Sequence, residues 1–379
     1  MSALLKPFKS DQPIPKSFVP LLAFTLLAIG LAIYRLYAGL GATTNMSDHY
    51  PWGIWITVDL FLIPVAGAAF TISLISYYFG RERYHTIIRP AVLAGFLGYG
   101  VVGVLLFLDI GRWPQFYNIL VPPLNVHSFL EEISICVTLY TIILVIEIAP
   151  VFLEKWGIQA KWIDRWILWI AGAGIVLSTL HQSSLGSLFL LLRYKLHPLW
   201  WTPALPVLFF LQALYTGLGM TAIATNIVWK MLNIPRDKEL YRRLGQVMSL
   251  VLSLYFAVKV GDWMGSGEFA TLMHPDPYVI IALLEVFLGV IVPLVILFSR
   301  LSSHSAGPFW AGVFALMGTF INRLVITWIG VAEPSPIPYM PSWIEIFITV
   351  GLLAGAFLVY GVVVRYFKLF PDPGEGHSH

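Results

Sequence analysis

Apolar residues run along this chain in long unbroken blocks, not in the alternating or three-to-four spacing of a water-facing fold. A helix needs about 20 such residues to cross a hydrocarbon core of about 30 Å. The pattern predicts ten spans, over 18–37, 53–79, 87–109, 128–153, 163–182, 204–230, 241–264, 278–299, 308–331 and 342–367. The expected fold class is all-α, a polytopic membrane helix bundle. A tail over 1–17 precedes the transmembrane domain of 18–367, and a second tail covers 368–379. The fifth block is the least regular. His181-Gln182-Ser183-Ser184 interrupts it before Leu188, and this reads as a helix end whose backbone lines a cavity or meets protein.

Composition agrees with the pattern. Of 379 residues, 58% are apolar or aromatic and 11% charged, against roughly 25% charged in soluble proteins. A net charge of +3 without a basic patch argues against nucleic acid. Cys136 is the single cysteine and reads as a packing residue. Disulfides, thiolate-held iron–sulfur clusters and c-type haem attachment are thereby excluded. Lys6, Lys9 and Lys16 precede the first block, which is too long for a signal-peptide core and has no cleavage motif after it.

Lysine and arginine set the expected orientation. Of 23 such residues, 17 fall in or beside the tails and the loops on one side, and three on the other. The basic side faces the cytoplasm, so both termini are expected there. The opposite loops are rich in Pro, Trp and Tyr, as in Pro51-Trp52 and Trp200-Trp201-Thr202-Pro203. Such loops suit anchoring at the headgroup level and equally suit docking of a peripheral partner.

A charge at the centre of a lipid-facing helix costs about 2.5–3.5 kcal/mol, so the charges inside these spans must face the bundle interior. Asp59, Glu131, Glu132 and Glu285 lie toward the outer side, with Arg35, Asp109, His181, Lys259, Asp262, Arg323 and Glu345 near outer helix ends. The inner half offers Glu147 and the hydroxyls of Tyr99, Thr138, Tyr140 and Thr141. Ion pairs such as Lys259 or Arg323 with Asp262 or Glu285 are the plain structural account. A site for a polar-headed ligand or for proton exchange accounts better for a cluster confined to one side. Of nine histidines only His181 belongs to a span. A membrane cytochrome b needs paired axial ligands on facing helices, so haem is not expected.

Several motifs resemble the NrfD/PsrC-like membrane subunits, specifically their HybB branch. They are Pro51-Trp52-Gly53-Ile54-Trp55 leading to Asp59, Arg89-Pro90-Ala91 leading to Gly98-Tyr99, and Asp109-Ile110-Gly111-Arg112. Asn125-Val126-His127-Ser128 leading to Glu132, the stretch from His181 to Ser187 with Tyr194 to Trp200, and Pro341-Ser342-Trp343-Ile344-Glu345 complete the set. The matches follow one another along most of the chain. The resemblance implies a quinone-reactive subunit without haem or iron–sulfur cluster, in the cytoplasmic membrane of a bacterium or archaeon. It would bind menaquinone or ubiquinone near the outer face. Its partners would be a periplasmic ferredoxin-like iron–sulfur subunit and a catalytic redox subunit of hydrogenase or molybdopterin type, so activity belongs to the assembled complex.

The resemblance carries over Asp59, Tyr99, Glu132 and His181 as catalytic candidates. His181, Asp59 and Tyr99, joined by Lys259, Asp262 and Arg323 from the polar cluster, are the candidates for holding the quinone. No metal site is expected. One departure stands out: the sixth span has no acidic residue, and Ala224 occupies the position where hydrogenase members of the branch carry one. Two other classes of function remain open. A proton- or solute-coupled transporter would use the same charges, although no convincing internal repeat supports it. A passive anchor of a redox enzyme would need the loops and not the buried charges.

Overall fold

A computed structural model describes residues 16–369, apart from positions 17, 49, 51, 80–83, 120, 122–124, 126, 234, 236, 275, 304–305, 332–338 and 368. The greater part of both expected tails lies outside the described residues, as do Pro51 and Val126 of the motifs. Among the described residues ten helices are long and apolar enough to cross a membrane. They are α1 (Phe18–Ala38), α2 (Ile54–Tyr78), α3 (Thr86–Asp109), α4 (Phe129–Trp156) and α5 (Lys161–Leu190). The second half supplies α6 (Leu205–Leu232), α7 (Lys238–Ser266), α8 (Pro277–Phe298), α9 (Ala306–Val331) and α10 (Trp343–Tyr366). Each coincides with one expected span.

Helices α2–α5 pack as one group of four and α6–α9 as another, while α1 and α10 run together along the side of α3. The groups meet where α2, α3 and α5 lie against α6 and where α2 also lies against α9. That seam explains why α2 is the most enclosed helix, with 89% of its apolar window buried, whereas α1 has 11% and faces lipid. Helices start and stop at two faces. The face where α2 begins and α3 ends carries the Trp- and Tyr-rich loops and is called here the aromatic face. The other is the basic face.

The fifth helix corrects an expectation. The stretch His181-Gln182-Ser183-Ser184 does not end α5, which continues unbroken to Leu190. Its polar groups find partners without opening the helix. Ser187 Oγ bonds back to Ser183 O at 3.2 Å, Ser184 Oγ donates to Glu132 Oε1 at 2.7 Å, and Gln182 Nε2 donates to Ile63 O at 3.2 Å. Gly186 serves packing: a Cβ there would stand 2.6 Å from Leu205 O of α6. The small polar residues are thus contact points between helices.

Irregularities occur at a proline in α2 and in α8, and α2 also closes in a π-turn over Leu74–Tyr78. Pro64 lacks the N–H that would bond the carbonyl four residues earlier, and Gly67 forms a turn immediately after it. In α8 a π-turn over Phe287–Ile291 precedes Pro293. Such widening relieves the clash between a proline ring and the preceding turn. Gly289, within that π-turn, lies against Gly318 of α9 so closely that a Cβ on either would overlap the other's backbone. Gly318→Val should therefore separate α8 from α9 and abolish accumulation of folded protein, as read by size-exclusion profile and thermal unfolding in detergent. A normal profile would refute this backbone-to-backbone contact.

Candidate functional site

Two polar clusters sit in the bundle at one level. Taking 1.5 Å per residue along each helix, Tyr99 and His181 lie about 15 and 13 Å from the aromatic-face ends of α3 and α5. Lys259, Glu285 and Asn322 lie at about 10–13 Å on α7, α8 and α9. Asp59 is shallower, about 7.5 Å into α2. The clusters belong to different four-helix groups, and each reaches a backbone carbonyl of α2, Ile63 O from Gln182 and Leu60 O from Arg323.

In the first cluster Tyr99 and His181 are 1% and 0% exposed, and the Tyr99 hydroxyl bonds His181 Nε2. His181 Nδ1 lies 2.9 Å from Leu177 O, one turn back. A carbonyl can only accept, so Nδ1 carries the proton, Nε2 is the acceptor, and Tyr99 donates. Tyr140 of α4 packs edge-on against Tyr99 at 5.0 Å and against the His181 ring at 5.9 Å. Asp59 is 4% exposed, its Oδ1 has no hydrogen-bond partner, and its charge bears on Tyr99. Gln182 Oε1 is likewise buried and unpaired. Buried polar atoms normally have partners, so the unspent atoms beside a Tyr–His pair mark a place built for something besides packing. Glu132 stands at the margin of this cluster, half-buried and bonded to Ser184.

The second cluster is more nearly self-satisfied. Glu285 accepts from Trp200 Nε1 at 2.6 Å, from Lys259 Nζ at 3.3 Å and from Asn322 Nδ2 at 3.1 Å. Arg323 does not meet a carboxylate. It donates to Leu60 O at 3.2 Å and Asn322 Oδ1 at 2.8 Å, with its guanidinium 3.7 Å from the Phe209 ring centre. Leu60 O is the carbonyl that Pro64 leaves without a helical donor, so an arginine on α9 repairs a proline defect on α2. Asp262 accepts from Thr202. A small cavity beside the cluster is lined by Trp200, Thr202, Gln212, Lys259, Asp262 and Asn322.

The seven candidates from sequence therefore divide. Asp59, Tyr99 and His181 come together with Glu132 at their edge, whereas Lys259, Asp262 and Arg323 belong to the other group. The expected pairing of Lys259 with Glu285 is present; Arg323 takes a backbone carbonyl instead. Thr138 and Thr141, named among the hydroxyls of the inner half, bond back to Ser134 O and Val137 O at 2.8 and 2.7 Å. Buried hydroxyls of Ser73 and Ser76 on α2, without partners, were not expected. Nor were the aromatic role of Tyr140 and the links made by Gln182, Ser184, Trp200 and Asn322 expected. Serine and asparagine in an apolar helix were visible, but they resemble ordinary packing residues. Ala224 is fully buried on α6.

At the aromatic face Glu345 opens α10 with a capping box on Ser342 and accepts from Asn45 N at 3.1 Å. Tyr339 donates to Glu345 and accepts from Ile54 N at 2.9 Å. Burial, then the Glu345 carboxylate, raises the Tyr339 hydroxyl above its ordinary pKa. Burial pushes the Tyr50 hydroxyl up to about 12, which keeps it a neutral donor to Trp328 O. The loops are thus fastened to the starts of α2 and α10.

A family model described as "Polysulphide reductase, NrfD" matches residues 42–333. The chain belongs to the NrfD family. This NrfD protein is 30% identical over 373 residues to the "Probable Ni/Fe-hydrogenase 2 b-type cytochrome subunit" of Escherichia coli (strain K12), covering 96% of this chain and 93% of that one. It is 28% identical over 397 residues to the "Menaquinone reductase, integral membrane subunit" of Nitratidesulfovibrio vulgaris, covering 94% and 93%. It is 21% identical over 405 residues to the "Hdr-like menaquinol oxidoreductase integral membrane subunit" of Archaeoglobus fulgidus, with 98% of each covered. Its relatives are membrane subunits of quinone-linked oxidoreductase, hydrogenase and reductase complexes, and this chain is a multi-pass membrane protein.

The first of those names raises haem b. Among the described residues His181 is the one histidine within the ten spans. Its Nε2 is taken by Tyr99 and its Nδ1 by Leu177 O. Among the described residues no second histidine faces it, so the residues present do not fit a bis-histidine haem.

Proposed function

We propose that this chain is the quinone-reactive membrane subunit of a respiratory redox complex in the cytoplasmic membrane. It exchanges electrons between quinone or quinol and an iron–sulfur subunit docked on the aromatic face, which is periplasmic, with both termini cytoplasmic. The observation that carries the reading is the buried Tyr99–His181 pair with Asp59 Oδ1 unspent beside it. Oxidising a quinol to a quinone releases two electrons and two protons, and reduction takes them up. A phenol already donating to a neutral imidazole can accept and pass a proton without leaving a bare charge, and Asp59 supplies the next oxygen. Glu132, at the margin of the site, is the acid–base group that a headgroup entering from lipid meets first. Lys259, Asp262 and Arg323 hold the second group together and the proposal gives them no contact with the quinone. The names of the relatives support the substrate class, and the loops tied down at Tyr50 and Tyr339 suit a fixed docking surface.

The test is binding of a naphthoquinol analogue to the purified subunit, followed by tryptophan fluorescence. Wild type should bind, and Asp59→Asn and His181→Ala should bind at least about tenfold more weakly, a loss of about 1.4 kcal/mol, with the unfolding temperature of Asp59→Asn unchanged. Equal binding by all three would place the headgroup elsewhere. Absence of binding by wild type would favour a passive anchor.

A further inference from the structure

Proton-handling groups continue from the Tyr99–His181 pair toward the aromatic face. Tyr99 and Asp109 lie on the same helix, α3, ten residues or about 15 Å apart along its axis. Asp59 of α2 lies between them in depth, and it feels the charge of Asp109 while Tyr99 feels that of Asp59. Asp109 ends α3, and its Oδ1 is buried without a hydrogen-bond partner, as is Oδ1 of Asp59. Arg35 of α1 stands beside it, 0% exposed. One guanidinium nitrogen donates to Ile110 O at 3.0 Å, while Nε and Nη1 have no partner. The charges of Arg35 and Glu345 both reach Asp109. Around Asp109, then, α1 presents Arg35, α2 presents Asp59, and α10 presents Glu345, which Tyr339 covers.

Structural ion pairing does not account for this set. A buried pair serving stability would bring the guanidinium onto the carboxylate with its donors spent, as Lys259 and Glu285 do in the second cluster. Here two carboxylate oxygens and two guanidinium nitrogens stay unspent, in a row that climbs from the proposed redox site to the end of a helix.

We propose that Asp109, with Arg35 beside it, relays protons between Asp59 and the aromatic face. The inference rests on the quinone reading above. In the step an O–H bond of the Asp59 carboxyl breaks and one forms on the Asp109 carboxylate, through bridging water, and no electrons move. The step runs equally in reverse, so it serves quinol oxidation or quinone reduction. Arg35 and Glu345 are the charged groups that face Asp109 from α1 and α10.

The experiment uses the complex assembled with its own partner subunits and 2,3-dimethyl-1,4-naphthoquinol as the probe. Asp109→Asn should lower turnover at saturating quinol by about tenfold or more, with KM within about twofold. Formate or azide, small acids that enter where the carboxyl is gone, should restore part of the loss, and Asp109→Glu should keep most of the activity. Wild-type turnover in Asp109→Asn, or a loss that no small acid relieves, would overturn the relay. If Asp109→Asn fails to assemble, Asp109→Glu decides: a displaced pH–rate profile supports the relay and an unmoved one refutes it. Asp59→Asn is run alongside. Its loss of turnover with Asp109→Asn unaffected leaves the quinone reading standing and removes only the relay, whereas two silent variants remove both.

Discussion

With asparagine at position 59, quinol-linked turnover of the assembled complex falls by about 10²- to 10⁴-fold, the range expected when a positioned acid–base group is lost. The substitution is nearly isosteric, and Asp59 Oδ1 makes no hydrogen bond that asparagine would break. The bundle should therefore assemble with unchanged yield and unfolding temperature. What is lost is the ability to hold a proton between Tyr99 and the aromatic face. His181→Ala should be as damaging for a different reason, since it removes the acceptor of the Tyr99 hydroxyl and leaves a buried donor unpaired. Turnover of membranes containing each variant, normalised to assembled complex, is the measurement. A fall of less than about tenfold for Asp59→Asn would remove Asp59 from the chemistry.

The second large effect falls on stability. Glu285→Ala strips the acceptor from Lys259, Trp200 and Asn322 at once and leaves a buried ammonium, which costs about 3–5 kcal/mol in comparable buried pairs. Removing both charges, as Lys259→Met with Glu285→Leu, should recover much of the loss, because an apolar pair of similar volume needs no desolvation. Thermal unfolding in detergent across wild type, both single variants and the double variant measures the coupling directly. Additive losses would mean that the two residues do not act as a pair. Quinol binding should stay near wild type in whichever variants remain folded, since these residues sit on helices of the other four-helix group and bond one another.

Sequence carried the fold far. Lipid demands that each crossing segment satisfy its own backbone and hide its charges, so ten apolar blocks could only become ten helices. The charges inside them could only face inward. The exception at His181 to Ser187 is instructive. A polar run looks like a break when its partners are unseen, yet Glu132, Ile63 and the backbone at Leu205 come from three other helices. Pro64 and Arg323 show the same limit: the defect and its repair lie 259 positions apart, and nothing local links them.

By itself, then, the amino-acid order determined which segments cross the membrane and which residue types must be buried. Those properties follow from length, hydropathy and counting, and each is set within a single segment. Which buried charges meet was decided only in the tertiary structure. Lys259 and Arg323 lie at a depth similar to that of His181, but on helices of the other four-helix group, so one polar layer became a structural cluster and a separate site with unspent atoms. Depth can be read along one helix; azimuth around a helix and the choice of neighbour cannot, because they depend on which small residues let two backbones approach. Gly289 against Gly318 and Gly186 against Leu205 are such approaches, and they fix which face each polar residue shows to the others.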